Sequence, residues 1–313
     1  MGTRRKNRPR QQHIVPQMHL SCFANANNQV CVYQKGKLPR WTAVAKTATE
    51  RDFHEFSIGD SKSDFQFEDT LANIENRAAR VRQKMIKRVA ASQDDIAIWA
   101  LFVASTFLRT RKVRKNVSSR LGKEVARELR SHENLLEIQY QFLKRGTIVP
   151  LAEVENRVGK QLDVILASPA FLHLSGFHTN MPSLAHSICQ KVWHIVEAGG
   201  SSSFLTSDCP VTTAQIRDRQ LFLGYGFGLP TTTVFFAIDT KHLFIATPPQ
   251  VNWAAFLDPS DVNMINLMTI QYADREVYAN EESEEIQRSV QENINQVVFG
   301  EHAYISKRDL APQ

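Results

Sequence analysis

Apolar residues recur at alternating intervals of three and four positions in two long stretches of the chain, the period of an amphipathic helix. The first stretch predicts a helix that opens near Asp64, where Ser63 and Gln66 have the spacing of a capping box. Its apolar positions are Phe67, Leu71, Ile74, Ala78, Val81, Met85 and Val89. The second begins at Ser92, with Asp94 and Asp95 in its first turn, and its stripe continues to Leu129. At about 1.5 Å per residue, one unbroken helix of this length would span on the order of 50 Å.

The second stretch changes character halfway along. Up to Leu108 it is apolar nearly all round, which predicts burial, whereas from Arg109 onward it is basic outside its stripe. We therefore expect a helical arm at about 109–145, in which a third helix from His132 to Leu143 folds back on the second. The pattern stays helical from 150 to 190, with predicted interruptions at Pro169, Gly176 and Pro182.

A period of two appears in shorter segments and predicts strands. "QVCVYQK" at 29–35 alternates, and "TTTVFFAID" with "HLFIAT" predicts a hairpin. "KVWHIVEA" and "SFLTSD" predict another, joined by "GGSSS". "WTAVAKT", "RDFHEF" and "HAYIS" predict short extended pieces, and "HLSCFA" a helical turn. The segment 258–280 predicts a helix capped by Asp258 or Ser260, and "EESEEIQRSVQENINQ" a solvent-facing one.

These elements predict an α+β protein, predominantly helical, with a long central helix and a small antiparallel sheet of hairpins. We expect four or five strands in all. No long linker divides the chain, so residues 12–313 are predicted to form a single domain that carries the helical arm.

Charge is concentrated at the N-terminus. The formal net charge is +6, and Arg4, Arg5, Lys6, Arg8 and Arg10 supply five of these charges before any acidic residue. The rest of the chain is therefore nearly neutral. Residues 1–11 are predicted to be a disordered basic tail, which either binds polyanions without sequence preference or only aids solubility.

Composition indicates a soluble, intracellular protein. Hydrophobic residues make up 42% of the chain, and its longest apolar run, "IAIWALFVASTFL", is too short for a membrane span. No apolar segment of a secretory signal follows the basic start. Four scattered cysteines without a C-x-x-C pair are typical of buried thiols in a reducing compartment, so we expect a cytoplasmic location.

Known nucleotide and hydrolase motifs are absent, including the P-loop, H-E-x-x-H and G-x-S-x-G. A set of ordered segments remains: "HIVPQMHLSCFA", "VCVYQKG", "ERDFHEF", "FEDTLANIENRAARV", "LFVASTFLRTRKVR", "FLTSDCPV" and "INLMTIQYADREVYA". In this order they resemble the family called domain of unknown function 4238, over about residues 12 to 280. His19 and His54 depart from it, since an aromatic residue is expected at each. The resemblance implies a role in bacterial defence or toxicity, by association only.

Three candidate catalytic residues emerge. His13 precedes Val15-Pro16, and the proline favours an extended lead-in that could hold a general acid or base. Asp208 ends a predicted strand, where the resemblance also places an aspartate. Glu75 flanks the apolar stripe of its helix. Ordinary structural roles compete with each function: a backbone hydrogen bond for His13, an Asx turn for Asp208 and an ion pair for Glu75.

Candidate substrate-binding residues are Gln17, Arg109, Arg111 and Lys112. Arg109 could clamp a phosphate, although an arginine that only forms an ion pair with Glu75 or Asp208 would give the same sequence. If the chemistry uses a metal, the candidate ligands are Glu68, Glu75 and Asp208, and the candidate ion is divalent magnesium or manganese.

The leading hypothesis is a nuclease or nucleotide-directed hydrolase. In it, His13 moves a proton, Asp208 with Glu75 orients His13 or holds a divalent metal, and Arg109 stabilises phosphate charge. The alternative is a non-catalytic module that binds RNA, DNA or another partner through the basic tail and arm. Whether the chain is an enzyme, and its oligomeric state, stay open at this stage. Convergence of His13, Glu75, Asp208 and Arg109 around one concave pocket would favour the enzyme, whereas scattered positions would favour the binding module.

Overall fold

A computed structural model describes residues 11–51, 53, 57–58, 61–62, 65–166, 169–217, 220–224, 226–251, 259–297 and 304–305. Most of the predicted basic tail, the capping box at Ser63, His54 and the candidate cap Asp258 lie outside these residues. Gln11, predicted to end the tail, already belongs to a strand.

Nine α-helices lie within the described residues. They are α1 (Gln17–Leu20), α2 (Phe65–Ile86), α3 (Gln93–Leu108), α4 (Arg111–Leu129), α5 (His132–Lys144), α6 (Leu151–Leu166), α7 (Pro169–Cys189), α8 (Pro259–Tyr272) and α9 (Glu284–Asn293). Two short 3-10 helices, Ser21–Phe23 and Val44–Lys46, add to them.

Fourteen short strands accompany the helices in the same part of the chain. They are β1 (Gln11–His13), β2 (Gln29–Gln34), β3 (Arg40–Ala43), β4 (Thr49–Arg51), β5 (Ser57–Ile58), β6 (Ser61–Lys62), β7 (Val192–Glu197), β8 (Thr206–Ser207), β9 (Val211–Arg217), β10 (Gln220–Leu223), β11 (Thr233–Ala237), β12 (His242–Thr247), β13 (Glu276–Ala279) and β14 (Tyr304–Ile305). The predicted α+β class is confirmed, whereas the expected number of strands was wrong.

All strand pairs that the structure describes are antiparallel. A six-stranded sheet has the order β14-β10-β9-β11-β12-β7, and a four-stranded sheet has the order β3-β2-β13-β8. The β11–β12 hairpin and the edge strand β14 confirm two predictions. The predicted hairpin of β7 and β8 is wrong, because β7 pairs with β12 and β8 pairs with β13 in the other sheet.

The six-stranded sheet has apolar residues on both faces. Phe236 and Phe244 point to one face and pack with Trp99 of α3 in a cluster shared with α2 and α7. Phe235 and Ile245 belong to the cluster on the opposite face, which includes α8 and residues of the four-stranded sheet. Since side chains alternate along a strand, successive apolar residues serve two cores, which explains the continuous apolar run of β11.

The predicted helix from Ser92 to Leu129 is two helices. Ser92 caps α3 in a full capping box with Asp95, as its sequence indicates. Arg109 and Thr110 then leave the helical path, and the Thr110 hydroxyl caps α4 by accepting from the amide of Val113 at 3.3 Å. The apolar stripe continues across this corner, so periodicity alone does not reveal it.

Other helix boundaries also differ from expectation. Gly176 and Pro182 lie inside the continuous helix α7. The segment after Tyr272 turns at Asp274–Arg275 and becomes strand β13, not helix, because it completes the four-stranded sheet between β2 and β8. α5 and α9 appear where predicted. α9 is not wholly solvent-facing, since Val290 is buried against Cys31 and Tyr33 of β2.

Helices α4, α5 and α6 share a cluster of their own. Val125 and Leu129 of α4 pack with Leu135 of α5 and with Val154 and Leu162 of α6. No helix in the described part of the chain is both long and apolar enough to cross a membrane.

Candidate functional site

His13 is held by backbone contacts on both sides. β1 pairs with β4, which places His13 opposite Thr49, and the amide of Ile14 donates to the Ala48 carbonyl at 2.8 Å. Ile14 and Val15 are fully buried, and Pro16 is the N-cap residue of α1. The side chain of His13 therefore projects from a segment that cannot easily move.

The two ring nitrogens of His13 differ in their surroundings. Burial lowers the pKa of this ring below the ordinary 6.5, and the backbone of Val44 and, more weakly, of Ala45 acts in the opposite direction without reversing the shift. Its Nε2 atom is buried without a hydrogen-bond partner in the described part of the protein. Because Nε2 has no partner, we assign the contact with Val44 to Nδ1; a proton on Nδ1 would leave the lone pair on Nε2.

Arg109 and Glu75 form an ion pair beside this imidazole. Arg109 Nη1 lies 2.7 Å from Glu75 Oε1, joining the end of α3 to the middle of α2. Arg109 lowers the pKa of His13 and Glu75 raises it, so both charges act on the ring. The Nε and Nη2 atoms of Arg109 are buried and have no hydrogen-bond partner among the described residues. We call His13, Glu75 and Arg109 the His13 cluster.

Asp208 belongs to a second group of polar residues. Its carboxylate, which is 1% exposed, accepts from the backbone amides of Asp274 at 2.8 Å and Arg275 at 2.9 Å. Arg111 Nη1 lies 3.6 Å from the same carboxylate, and Arg111 Nε donates to Glu50 at 2.6 Å. Burial raises the pKa of Asp208 to about 7, although the amide of Asp274 and the charge of Arg111 lower it. We call Asp208, Arg111 and Glu50 the Asp208 cluster.

The two clusters lie on opposite sides of the β1–β4 pair. His13 faces Thr49 in the register, whereas its neighbour Gln12 faces Glu50. Since successive side chains of a strand point to opposite faces, His13 and Glu50 are directed apart. The α3–α4 corner matches this division, because Arg109 joins the His13 cluster and Arg111 the Asp208 cluster. The structure thus brings together three of the four residues expected at one site.

The remaining candidates have other surroundings. Gln17 is exposed at the start of α1, where its carbonyl accepts from Ser21. Lys112 Nζ donates to the Tyr272 carbonyl at 3.0 Å, and burial lowers the pKa of Lys112. Glu68 lies on α2, two turns before Glu75.

A divalent metal does not fit this arrangement. Glu75 and Asp208, the two strongest candidate ligands, are each paired with a different arginine, so their carboxylates are not directed to a common point. Within the described residues, no group of three or more histidine, cysteine, aspartate and glutamate side chains is placed to hold a metal ion.

His19 has a structural environment. It is fully buried, its Nε2 lies 2.9 Å from the Thr206 hydroxyl, and its ring stacks on Phe236 with centroids 4.6 Å apart. Burial, with Arg82 and Arg109 nearby, lowers the pKa of His19 to about 3. The ring therefore occupies a position suited to an aromatic residue, as its departure from the family pattern indicates.

Glu50 and the Val44 carbonyl are two contributors that sequence reasoning missed. Val44 lies in a 3-10 helix of three residues and Glu50 in the three-residue strand β4, and neither segment is long enough to carry a periodic signal. The place of Glu50 beside the site becomes apparent only from the pairing of β4 with β1.

The fold and the His13 cluster define an α+β protein in which a buried arginine, a partly buried glutamate and a partly buried histidine lie between an N-terminal strand and two helices. A sequence profile of the family described as "Protein of unknown function (DUF4238)" matches residues 11–283, and the chain belongs to this family. No curated protein and no solved structure matches the chain significantly.

Proposed function

We propose that this protein is a hydrolase of phosphodiester bonds in nucleic acid or nucleotides, with the His13 cluster as its catalytic centre. The observation that carries the proposal is the convergence of a base, a cation and a carboxylate from three separate elements, β1, α3 and α2. Two of these groups, His13 and Arg109, have buried nitrogen atoms without a hydrogen-bond partner among the described residues. Unsatisfied buried donors and acceptors are costly, and functional sites are one place where proteins retain them.

His13 would act as the general base. Its lowered pKa keeps the ring neutral at pH 7, and the contact of Nδ1 with Val44 leaves the Nε2 lone pair available. Nε2 would take a proton from the attacking water as the new phosphorus–oxygen bond forms and the bond to the leaving oxygen breaks, and the leaving oxygen would take a proton from solvent water.

Arg109 would stabilise the phosphate charge that develops in the transition state. Its Nη1 is held by Glu75, while Nε and Nη2 present the two adjacent N–H groups that pair with two phosphate oxygens. Glu75 is thus a positioning residue for the guanidinium. The side chain of Glu75 is 23% exposed, whereas that of Arg109 is 4% exposed, so we place substrate entry beside Glu75.

Purified wild-type protein would be assayed on single-stranded RNA, single-stranded DNA and bis-(p-nitrophenyl) phosphate. His13→Ala and Arg109→Ala are expected to reduce kcat/KM by a factor on the order of 10² or more, as for loss of a general base or of a phosphate clamp. Arg109→Lys, which keeps the charge but not the paired donors, should recover little of the loss. His132→Ala, at an exposed histidine of α5, is the matched control.

Unchanged activity in both His13→Ala and Arg109→Ala would reject the site. The same variants would be expressed in bacteria, because the proposed defence or toxin role predicts that growth inhibition by the wild type is lost with them.

The proposed cytoplasmic location is supported by the thiols of Cys22, Cys31, Cys189 and Cys209, none of which is in a disulfide.

A non-catalytic nucleic-acid-binding role for the arm has weaker support. Arg111, Lys112 and Arg114 at its start contact protein groups. Farther along α4, exposed Lys123 and Arg127 alternate with acidic residues. Such alternation is typical of a solvated helix and lowers the local positive potential.

A further inference from the structure

An apolar stripe runs along the outer face of α5. Leu136, Tyr140 and Leu143 occupy positions i, i+4 and i+7, and they are 44%, 51% and 55% exposed. The inner face of the same helix already packs on α4 and α6 through Leu135 and Phe142. A helix with a second apolar stripe has more apolar surface than the fold of one chain uses.

Charged residues flank this stripe in a self-complementary order. At 100° per residue, Glu133, Glu137 and Lys144 all fall on the same side of the stripe, with the acidic residues toward the N-terminus and the lysine toward the C-terminus. Their contacts within the chain are exposed and weak: Gln141 donates to Glu137 at 2.6 Å, and Lys144 lies over the Tyr140 ring at 4.6 Å.

We propose that the outer face of α5 binds a second copy of this chain in an antiparallel, two-fold symmetric pair. In such a pair, each flank of the helix faces the same flank of its partner in reverse order. Leu136 then packs on Leu143 of the other copy, the two Tyr140 rings meet near the symmetry axis, and Glu137 lies opposite Lys144 twice. Parallel pairing lacks this match, because the charged flank would then face the opposite flank of its partner, where Gln139 carries no charge.

The contact is small. Three large apolar side chains from each copy bury less than a standard interface of about 1,600 Å². We therefore expect association at chain concentrations on the order of 100 µM, and not at 1 µM.

Sedimentation velocity of the full chain over this range of concentrations tests the proposal. The wild type should move from monomer to dimer as its concentration rises. Glu137→Lys and Lys144→Glu should each abolish the dimer, since each variant sets like charges opposite each other at two places. An equimolar mixture of the two variants should restore it, because every repulsive pair becomes an attractive one in the mixed dimer.

Glu155→Lys makes the same change of charge at an exposed position of α6 and should leave the dimer unchanged. Circular dichroism spectra equal to the wild type verify that these surface variants fold. A wild type that stays monomeric at 300 µM would overturn the proposal. So would a mixture of Glu137→Lys with Lys144→Glu that dimerises no more than either variant alone, or a dimer that survives in both.

Discussion

At the scale of single residues, the histidines of this protein show how burial decides what a titratable group does. His13 keeps a buried lone pair without a partner in the described protein, whereas His19 uses its Nε2 in a contact with Thr206 and stacks its ring on Phe236. Both have a lowered pKa, because desolvation penalises the charged imidazolium. Arg109 lowers the pKa of both rings, but only His13 is also influenced by the carboxylate of Glu75 that pairs with it.

His19 should make the protein sensitive to acid. Its folded pKa of about 3 lies below the ordinary 6.5, so the unfolded chain binds this proton first as pH falls. The contribution of His19 to stability is complete above pH 6.5 and decreases toward pH 3. At pH 5 the decrease is about 2 kcal/mol.

His19→Phe should remove this sensitivity and retain the ring packing. At pH 7 the variant should be less stable than the wild type by about 1–2 kcal/mol, because the buried Thr206 hydroxyl loses its partner. Urea unfolding followed by tryptophan fluorescence at pH 7 and pH 5 should show this deficit shrink by about 2 kcal/mol. A constant deficit would contradict the assignment, and His132→Asn, at an exposed histidine, should show no such change.

The residues of the His13 cluster could be chosen from sequence, but their grouping could not. The pair of Arg109 with Glu75 was one of two ion pairs that the sequence allowed. Asp208 instead lies near Arg111. Its carboxylate is held there by two backbone amides that are 66 and 67 residues away in sequence. Such contacts depend on the arrangement of whole sheets, and no local pattern encodes them.

At the scale of elements, the corner between α3 and α4 determines how the two clusters are separated. The hydroxyl of Thr110 accepts from the amide of Val113 and donates to the carbonyl of Phe107 at 3.1 Å, so it closes one helix and opens the next. Arg109, just before Thr110, belongs to the His13 cluster, and Arg111, just after it, belongs to the Asp208 cluster. A continuous helix would place them 200° apart on one axis, without the change of direction.

Thr110→Ala should lower the free energy of unfolding by about 1–2 kcal/mol, the usual range for loss of an N-cap. Thr110→Ser, which retains the hydroxyl, should recover most of this loss. Hydrogen exchange measured by mass spectrometry should show faster exchange at 111–114 in the alanine variant. Equal protection in the alanine and serine variants would show that the hydroxyl does not hold the corner.

Helices were predicted better than strands for a physical reason. Caps and apolar periodicity act within one segment, and they identify the start of α3 and the presence of α5 and α9. Strands of two to four residues, such as β8, carry too few positions to alternate. Pro182 does not break α7 even though proline lacks an amide donor, which shows tertiary packing overriding a local preference.

At the scale of the whole molecule, Tyr272 joins parts that are distant in sequence. From the end of α8, its buried hydroxyl contacts the Thr213 hydroxyl at 2.9 Å and accepts from the amide of Gly224 at 3.1 Å. Its carbonyl accepts from Lys112 of α4. One residue of α8 therefore contacts β9, the residue that follows β10, and α4.

Tyr272→Phe should destabilise the protein by about 1–3 kcal/mol, because the buried amide of Gly224 and the Thr213 hydroxyl lose a partner. Differential scanning calorimetry should show a lower Tm, by about 2–4 °C for each kcal/mol. Tyr140→Phe removes a hydroxyl from an exposed ring and is the matched control. Equal Tm values for the two variants would contradict the role given to Tyr272.

The order of strands in the four-stranded sheet has a consequence for synthesis on the ribosome. The hairpin of β2 and β3 is complete by Ala43, but the strand that covers its inner edge, Glu276–Ala279, follows more than two hundred residues later. At translation rates of about 5–20 residues per second, that edge waits on the order of 10–45 s for its partner. During this interval the nascent chain displays an open edge with Cys31 and Tyr33, a segment on which a holding chaperone would act.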